Sequence, residues 1–477
     1  MISALTDFIW GKLLIFTLAP IGVYFTVRSG FVQFRYFGRM FGVLAEGFGG
    51  RGGNEATSFQ ALALSVAGRV GAGNIAGVAV ALTLGGPGAI FWMWIVGLLG
   101  MATSFFECSL AQLYKDREPD GAFRGGPANY IERGLGPKIG GFAKAFAAVY
   151  AALLFATFGV AFIVLQSYAV TTSVHTAFGV STLLVGATLA VLAGIVILGG
   201  ARRITQVVEF VVPVMAIAYV GIVAYILISE FDRAPAALEL IVRSAFGLEE
   251  AFAGGIGAAL LQGVRRGLFS NEAGLGSAPN AAAIAYVRHP AQQGLVQSLS
   301  VFIDTIVLCT CTALIILLSG VDIAAPASDG VVLTQTALAD HLGGWAESFL
   351  AFALFLFVFS SIMYNYYLGE TAVDYFFKDN RRAFMAYRAI AIAMVFVGST
   401  ANLGAAFGFA DLTMGLLALV NLTALVLLAP IALRVLADFD GQLKEGRAPV
   451  FDPARFADLR INADAWRLHE SDETSKG

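Results

Sequence analysis

Eleven apolar runs recur along this 477-residue chain, at about 8–27, 58–84, 88–114, 142–171, 181–200, 206–229, 251–285, 293–319, 346–377, 383–401 and 412–437. About 20 apolar residues in a helix cross a hydrocarbon core about 30 Å thick. The pattern therefore predicts an all-α polytopic membrane protein with 11 transmembrane helices. Composition agrees, with 58% hydrophobic and only 13% charged residues, where soluble domains carry about 25% charged. The net charge of −3 offers no basic surface for nucleic acid. The N-terminus, MISALTDFIW, lacks the basic region of a signal peptide, so the first run reads as a retained helix. Cys108, Cys309 and Cys311 lie inside apolar runs without a CxxC pair and read as packing residues. His175, His289, His341 and His469 fall in loops or the tail, which argues against an intramembrane metal site or histidine relay.

Lys and Arg concentrate in one alternate set of loops: Arg28 to Arg51, Lys115 to Lys138, Arg202 and Arg203, Arg288, and Lys378 to Arg382. The opposite set is poor in bases, and 320–345 holds Asp322, Asp329 and Asp340 with no Lys or Arg. The positive-inside rule then places the N-terminus outside and the C-terminus in the cytoplasm. The aromatic and basic stretch FVQFRYFGRMFGVLAE suits an amphipathic helix on the membrane surface.

Two runs carry their own breakers. The second contains GRVGAGNIAG, Gly68 to Gly77, four glycines with an arginine and an asparagine near mid-span. Each glycine costs a helix interior about 1 kcal/mol against alanine. Non-helical backbone at membrane depth is tolerated only where it is buried in protein or lines a cavity. The seventh run begins with Gly254, Gly255 and Gly257 and continues into RRGLFSNEAGLGSAPN. Five spans separate the two starts, so a second copy of a five-crossing unit would be inverted. The expected organisation is an extra N-terminal helix and amphipathic segment (1–57), a first five-helix repeat (58–229), a second, inverted repeat (251–437) and a cytoplasmic tail (438–477). Paired interrupted helices in inverted repeats point to a secondary transporter. The plainer reading of the glycines is small-residue helix packing, but it leaves the recurrence at both repeat starts unexplained.

A half-helix N-terminus favours a carboxylate by about 0.3–2 kcal/mol, and freed carbonyls suit Na⁺. A phosphorylated substrate would call for Arg or Lys forks at mid-depth; the candidate is Arg69 alone, toward the cytoplasmic side.

The motifs GRVGAGNIAGVAVALTLGGPGAIFWMW, GGPANYIERGLG, GLFSNEAGLGSAP, FIDTIVLCTCTA and YYLGE, in this order, resemble the alanine or glycine:cation (sodium) symporter family over about residues 8–437. The resemblance implies the inverted-repeat fold of the bacterial leucine transporter and sodium-coupled import of a small neutral amino acid, with Na⁺ as coupling ion and no cofactor. It implies a bacterial plasma (inner) membrane location and no obligate protein partner. By the same resemblance Ala72, Gly73 and Asn74 would hold the substrate carboxylate, and Ala67, Val70, Ser360 and Ser361 the sodium ion. Gln166 matches a family glutamine, with Tyr168 where an asparagine is usual. Tyr364 and Asn365 stand where the family has Gly-Trp, which makes the pocket wall at Asn365 smaller and more polar and opens the site to larger or more polar neutral amino acids.

The second broken run adds Gly255, Ile256 and Gly257 to the expected substrate wall, near Gly254. Asp304, the deepest carboxylate, is a candidate for tuning an ion site or satisfying helix ends. Asn271 and Glu272, beside Arg265 and Arg266, suggest a cytoplasmic gate or a fold-holding network. A proton-coupled carrier on the same fold is the alternative, with Asp304 as its titrating group. An intramembrane enzyme is disfavoured by the lack of HExxH and of a GxSxG serine at depth, and a channel by the lack of a repeated pore motif.

Overall fold

The computed structural model describes residues 2–47, 55–119, 121–248, 255–323, 330–378 and 380–466. Gly254 and Asp329 lie outside them. Among the described residues, seven helices are long and apolar enough to cross a membrane: α1 Leu5–Arg28, α5 Gly88–Leu113, α7 Phe142–Phe178, α9 Arg203–Ser229, α13 Pro290–Leu318, α15 Trp345–Phe377 and α17 Phe407–Lys444. An eighth span is the pair α3 Ser58–Arg69 and α4 Gly73–Gly85, bent by 50° at the break. Between these stand α2 Phe37–Gly47, α6 Pro127–Ile139, α8 Thr182–Ile197, α10 Ala234–Ala245, α11 Gly255–Asn271, α12 Ser277–Ala283, α14 Gly330–Leu342 and α16 Arg381–Gly398. The remaining apolar runs thus fold as helices that are short (α8), divided (α11 and α12) or opened by two arginines (α16).

Local chemistry sets the first break. Thr57 caps α3 in a reciprocal box with Gln60, its hydroxyl accepting from the Gln60 N–H at 3.1 Å. Helical geometry ends at Val70, whose ψ is 105°. The chain re-enters as a π-helical turn, Gly73–Gly77. Phe155–Phe162 and Phe302–Leu308 are also π-helical. Such bulges widen a helix locally and recur at functional sites.

The second break falls later in its run than expected. α11 runs unbroken from Gly255 to Asn271, and helical geometry fails at 272–276, where Glu272, Gly274 and Gly276 take φ of +55°, +90° and +83°. Glycine reaches that region without a Cβ penalty; Glu272 is the exception. The freed groups are met by side chains of other helices. The Glu107 carboxylate accepts from the N–H of Gly274 and of Gly276, each at 3.2 Å. The Asn421 amide donates to the Gly274 carbonyl at 2.9 Å, and the Tyr150 hydroxyl to that of Gly276 at 2.9 Å.

α11 packs parallel to α5, Gly263 against Trp92 and Gly267 against Val96. The two broken helices meet directly, the Gly73 backbone lying against the Phe269 ring. A two-residue β-hairpin, Asp116–Arg117 with Phe123–Arg124, follows α5.

Candidate substrate and ion site

At the first break the freed polar groups are met differently. The Gly71 N–H donates to Asn74 Oδ1 at 3.1 Å and the Ala72 N–H to Gln166 Oε1 at 3.0 Å. Side-chain amides, not a carboxylate, occupy the donors that an anionic substrate group would take. Gly71 is required for this approach: a Cβ there would lie 2.7 Å from Ser361 Oγ and 2.9 Å from the Gln166 amide.

Ser361 Oγ lies 2.8 Å from the Ala67 carbonyl oxygen, 3.1 Å from that of Val70 and 2.9 Å from that of Phe357. One hydroxyl proton serves three carbonyl acceptors. The cluster is rich in hard oxygen and poor in protons, which is the donor set a small hard cation selects. Ser360 does not reach the Ala67 and Val70 carbonyls of the break; its hydroxyl shares only the Phe357 carbonyl of its own helix, at 2.8 Å.

Asn74 turns its amide NH₂ toward α11 and α13. It donates to Asp304 Oδ1 at 2.7 Å and to Ser270 Oγ at 3.2 Å. Ser270 donates to Asp304 Oδ2 at 2.6 Å, and Thr305 to the same oxygen at 3.0 Å. Asp304 is fully buried and takes all these bonds from neutral donors. Ser270 and Thr305 were legible only as members of the GLFSNEAGLG and FIDTIVLCTCTA motifs. Arg69, also buried, faces Ser300, Ser104 at 3.5 Å and the Gln297 carbonyl at 3.5 Å.

Gly255, Ile256 and Gly257 do not come to this site. They are exposed at the start of α11, where no described residue lies within 4 Å of a Cβ placed on either glycine. Asn271 and Glu272 lie at the second break, where Asn271 Oδ1 accepts from the Ala273 N–H at 3.0 Å and Glu272 from the Ser277 hydroxyl. Arg265 and Arg266 stand apart from them, earlier in α11. They pair with Asp411 of α17 at 2.6 and 3.0 Å.

That pairing closes one face of the site. The Arg266 guanidinium lies over the Phe407 ring at 5.1 Å, Phe407 packs on Phe269, and Phe269 stacks on Phe162 with centroids 5.0 Å apart. α14 adds to the closure where Thr334 donates to the Ile75 carbonyl at 3.3 Å. On the opposite face a cavity of about 280 Å³ is lined by Asp116, Arg124, Glu132, Asn280, Asp374 and Lys378, among others. Arg124 and Asp374 pair across it at 3.3 Å. Glu118, also on its lining, has its carboxyl pushed up by burial against the opposing pull of Arg124.

Residues 1–453 match the model of the sodium:alanine symporter family. The chain is 46% identical to the amino-acid carrier protein AlsT of Bacillus subtilis (strain 168), covering 98% of this chain and 97% of that protein. It is 45% identical to the probable sodium/glutamine symporter GlnT of the same organism, covering 94% and 92%. A sodium/proton-dependent alanine carrier protein of Bacillus sp. (strain PS3) is 34% identical, covering 84% and 92%. Among solved structures, a Na⁺-coupled sialic acid symporter in a substrate-bound outward-open state superposes with a TM-score of 0.54 at 14% identity, covering 90% and 98%. At that identity the likeness speaks for the fold alone.

Proposed function

This chain belongs to the sodium:alanine symporter family, whose members are transporters and not enzymes, and from that premise we propose that it imports a neutral amino acid together with Na⁺ by alternating access. The observation that carries the proposal is the Ser361 hydroxyl set among the carbonyl oxygens of Ala67, Val70 and Phe357. Beside that cluster, the N–H groups at Ala72–Asn74 would take the substrate carboxylate once Gln166 yields the Ala72 N–H. Alanine and glutamine, named for two relatives, are both neutral amino acids. One Na⁺ gains about 2.3 kcal/mol per 100 mV. At about 1.4 kcal/mol per tenfold, that supports an accumulation of roughly fortyfold before any concentration gradient.

In this reading eleven helices cross a bacterial inner membrane, with the N-terminus outside and the tail cytoplasmic. α3 to α9 form the first repeat and α11 to α17 the inverted second. The Arg266–Asp411 face is then extracellular and closed, and the polar cavity near Asn280 is the cytoplasmic exit. Rocking of the broken helices exchanges which face is closed.

Proteoliposomes loaded without sodium test this. Addition of external Na⁺ is expected to drive uptake of a labelled neutral amino acid above the equilibrium level, and uptake indifferent to Na⁺ would reject sodium coupling. A second reading, proton coupling, has one observation in its favour: the buried Asp304 carboxyl beside Asn74. Uptake driven by a pH gradient in sodium-free buffer would select it.

A further inference from the structure

Asn365 is fully buried, and neither its amide oxygen nor its amide nitrogen has a protein partner. The other polar side chains expected at the substrate and sodium sites, Asn74, Gln166, Ser360 and Ser361, are all hydrogen-bonded. Buried polar atoms are nearly always paired, so a side chain orphaned at both atoms asks for an explanation.

Its position supplies one. α7 and α15 run antiparallel, and two contacts fix their register. Toward one end, Gln166 and Ser361 both flank Gly71; toward the other, a Cβ on Gly369 would lie 2.9 Å from the Gly159 Cα. In that register Asn365 stands opposite Phe162, one helical turn from Ser361 and on its face of the helix. The Phe162 ring stacks on Phe269, which lies against Gly73. By this register Asn365 lies between the first break and the aromatic layer, the side toward which the side chain of an amino acid held at that break would project.

We infer that the transported amino acid carries a side-chain carboxamide, glutamine or asparagine, recognised by Asn365. The inference rests on the symporter reading above. The chemistry is complementarity at a buried side chain. Asn365 presents one acceptor and one NH₂ donor side by side, and a carboxamide presents the same two groups in reverse, so the pair closes with both atoms met. Alanine or glycine would leave both unmet. A serine hydroxyl is a single atom and cannot meet both in line. Sites built to hydrogen-bond a substrate group reject analogues that lack it far more strongly than apolar pockets reject a missing methylene.

The test is sodium-driven uptake by wild-type proteoliposomes of labelled glutamine, asparagine, serine, alanine and glycine, each competed by the others. Glutamine or asparagine is expected to be favoured over alanine by at least about tenfold. In Asn365→Leu that preference ratio is expected to fall by at least about tenfold. Sodium-driven uptake that favours alanine, glycine or serine in the wild type overturns the inference and leaves the symporter reading standing. A ratio unmoved by Asn365→Leu also overturns it. Should Asn365→Leu fail to fold, the wild-type panel decides alone. No sodium-driven uptake of any amino acid overturns both readings.

Discussion

The Asn74 amide donates to Asp304 Oδ1 at 2.7 Å and joins the break of one span to the π-helical turn of another. Asp304 also accepts from Ser270 and Thr305, so one carboxylate fixes three elements around the proposed site. Removing it strands three donors, at about 1–3 kcal/mol for each left unsatisfied. Asp304→Ala is expected to lower the melting temperature in detergent and to abolish uptake. Asp304→Asn keeps one acceptor oxygen, and is expected to retain sodium-dependent uptake at a rate lowered about tenfold, a loss near 1.4 kcal/mol. Complete loss of sodium dependence in Asp304→Asn, with its fold intact by melting, would move the coupling ion to this carboxylate.

Ser361 and Ser360 are adjacent and chemically identical, yet only Ser361 reaches the carbonyls of the first break. Ser361→Ala is expected to raise the sodium concentration for half-maximal uptake at least about tenfold, near 1.4 kcal/mol. Ser360→Ala is expected to change it by less than about threefold, since the lost bond is local. Equal effects from the two variants would detach the ion site from Ser361.

The contrast between those serines marks how far the sequence can be read. The break at GRVGAGN was legible because breakers inside an apolar run have one physical outlet, unwinding where protein can satisfy the backbone. The division of the seventh run was also legible, but not its position. Gly254, Gly255 and Gly257 are the denser glycine cluster, yet α11 passes through Gly257 unbroken. The true break sits where Glu107, Asn421 and Tyr150 arrive from distant helices to take the freed groups. That is tertiary information which glycine spacing does not carry. Likewise the adjacency of Arg265 and Arg266 to Asn271 and Glu272 suggested one network. Their pairing with Asp411, 145 residues on from Arg266, separates them.

Arg265, Arg266 and Asp411 form a nearly buried cluster with two positive charges on one carboxylate. Removing one partner of a buried ion pair typically costs 3–5 kcal/mol, because the remaining charge is left uncompensated. Asp411→Asn should therefore weaken the closed face selectively. With a cysteine introduced as Phe407→Cys beneath that face, labelling by a membrane-impermeant maleimide is expected to speed up at least about threefold when Asp411→Asn is added, as the population shifts toward the open form. Unchanged labelling, with transport also unchanged, would show that the cluster holds the fold without gating it.

Gly68 offers a sharper test of packing at the break than of chemistry. A Cβ at this position would overlap the Tyr364 ring, which is itself fully buried. Overpacking a close-fitted core costs about 1–3 kcal/mol, and here both Gly68 and the Tyr364 ring are buried. Gly68→Ala is expected to lower the melting temperature by several degrees and to depress uptake. Gly257→Ala, where a Cβ meets no described residue within 4 Å, is expected to stay within about 0.5 kcal/mol of wild type. Trimming the ring supplies the control. If the clash with Tyr364 is the cause, Gly68→Ala combined with Tyr364→Leu recovers stability relative to the sum of the single changes, a coupling of about 0.5–3 kcal/mol between residues in contact. Additive effects would mean that Gly68 is needed for its backbone freedom at the bend and not for the space it leaves to Tyr364.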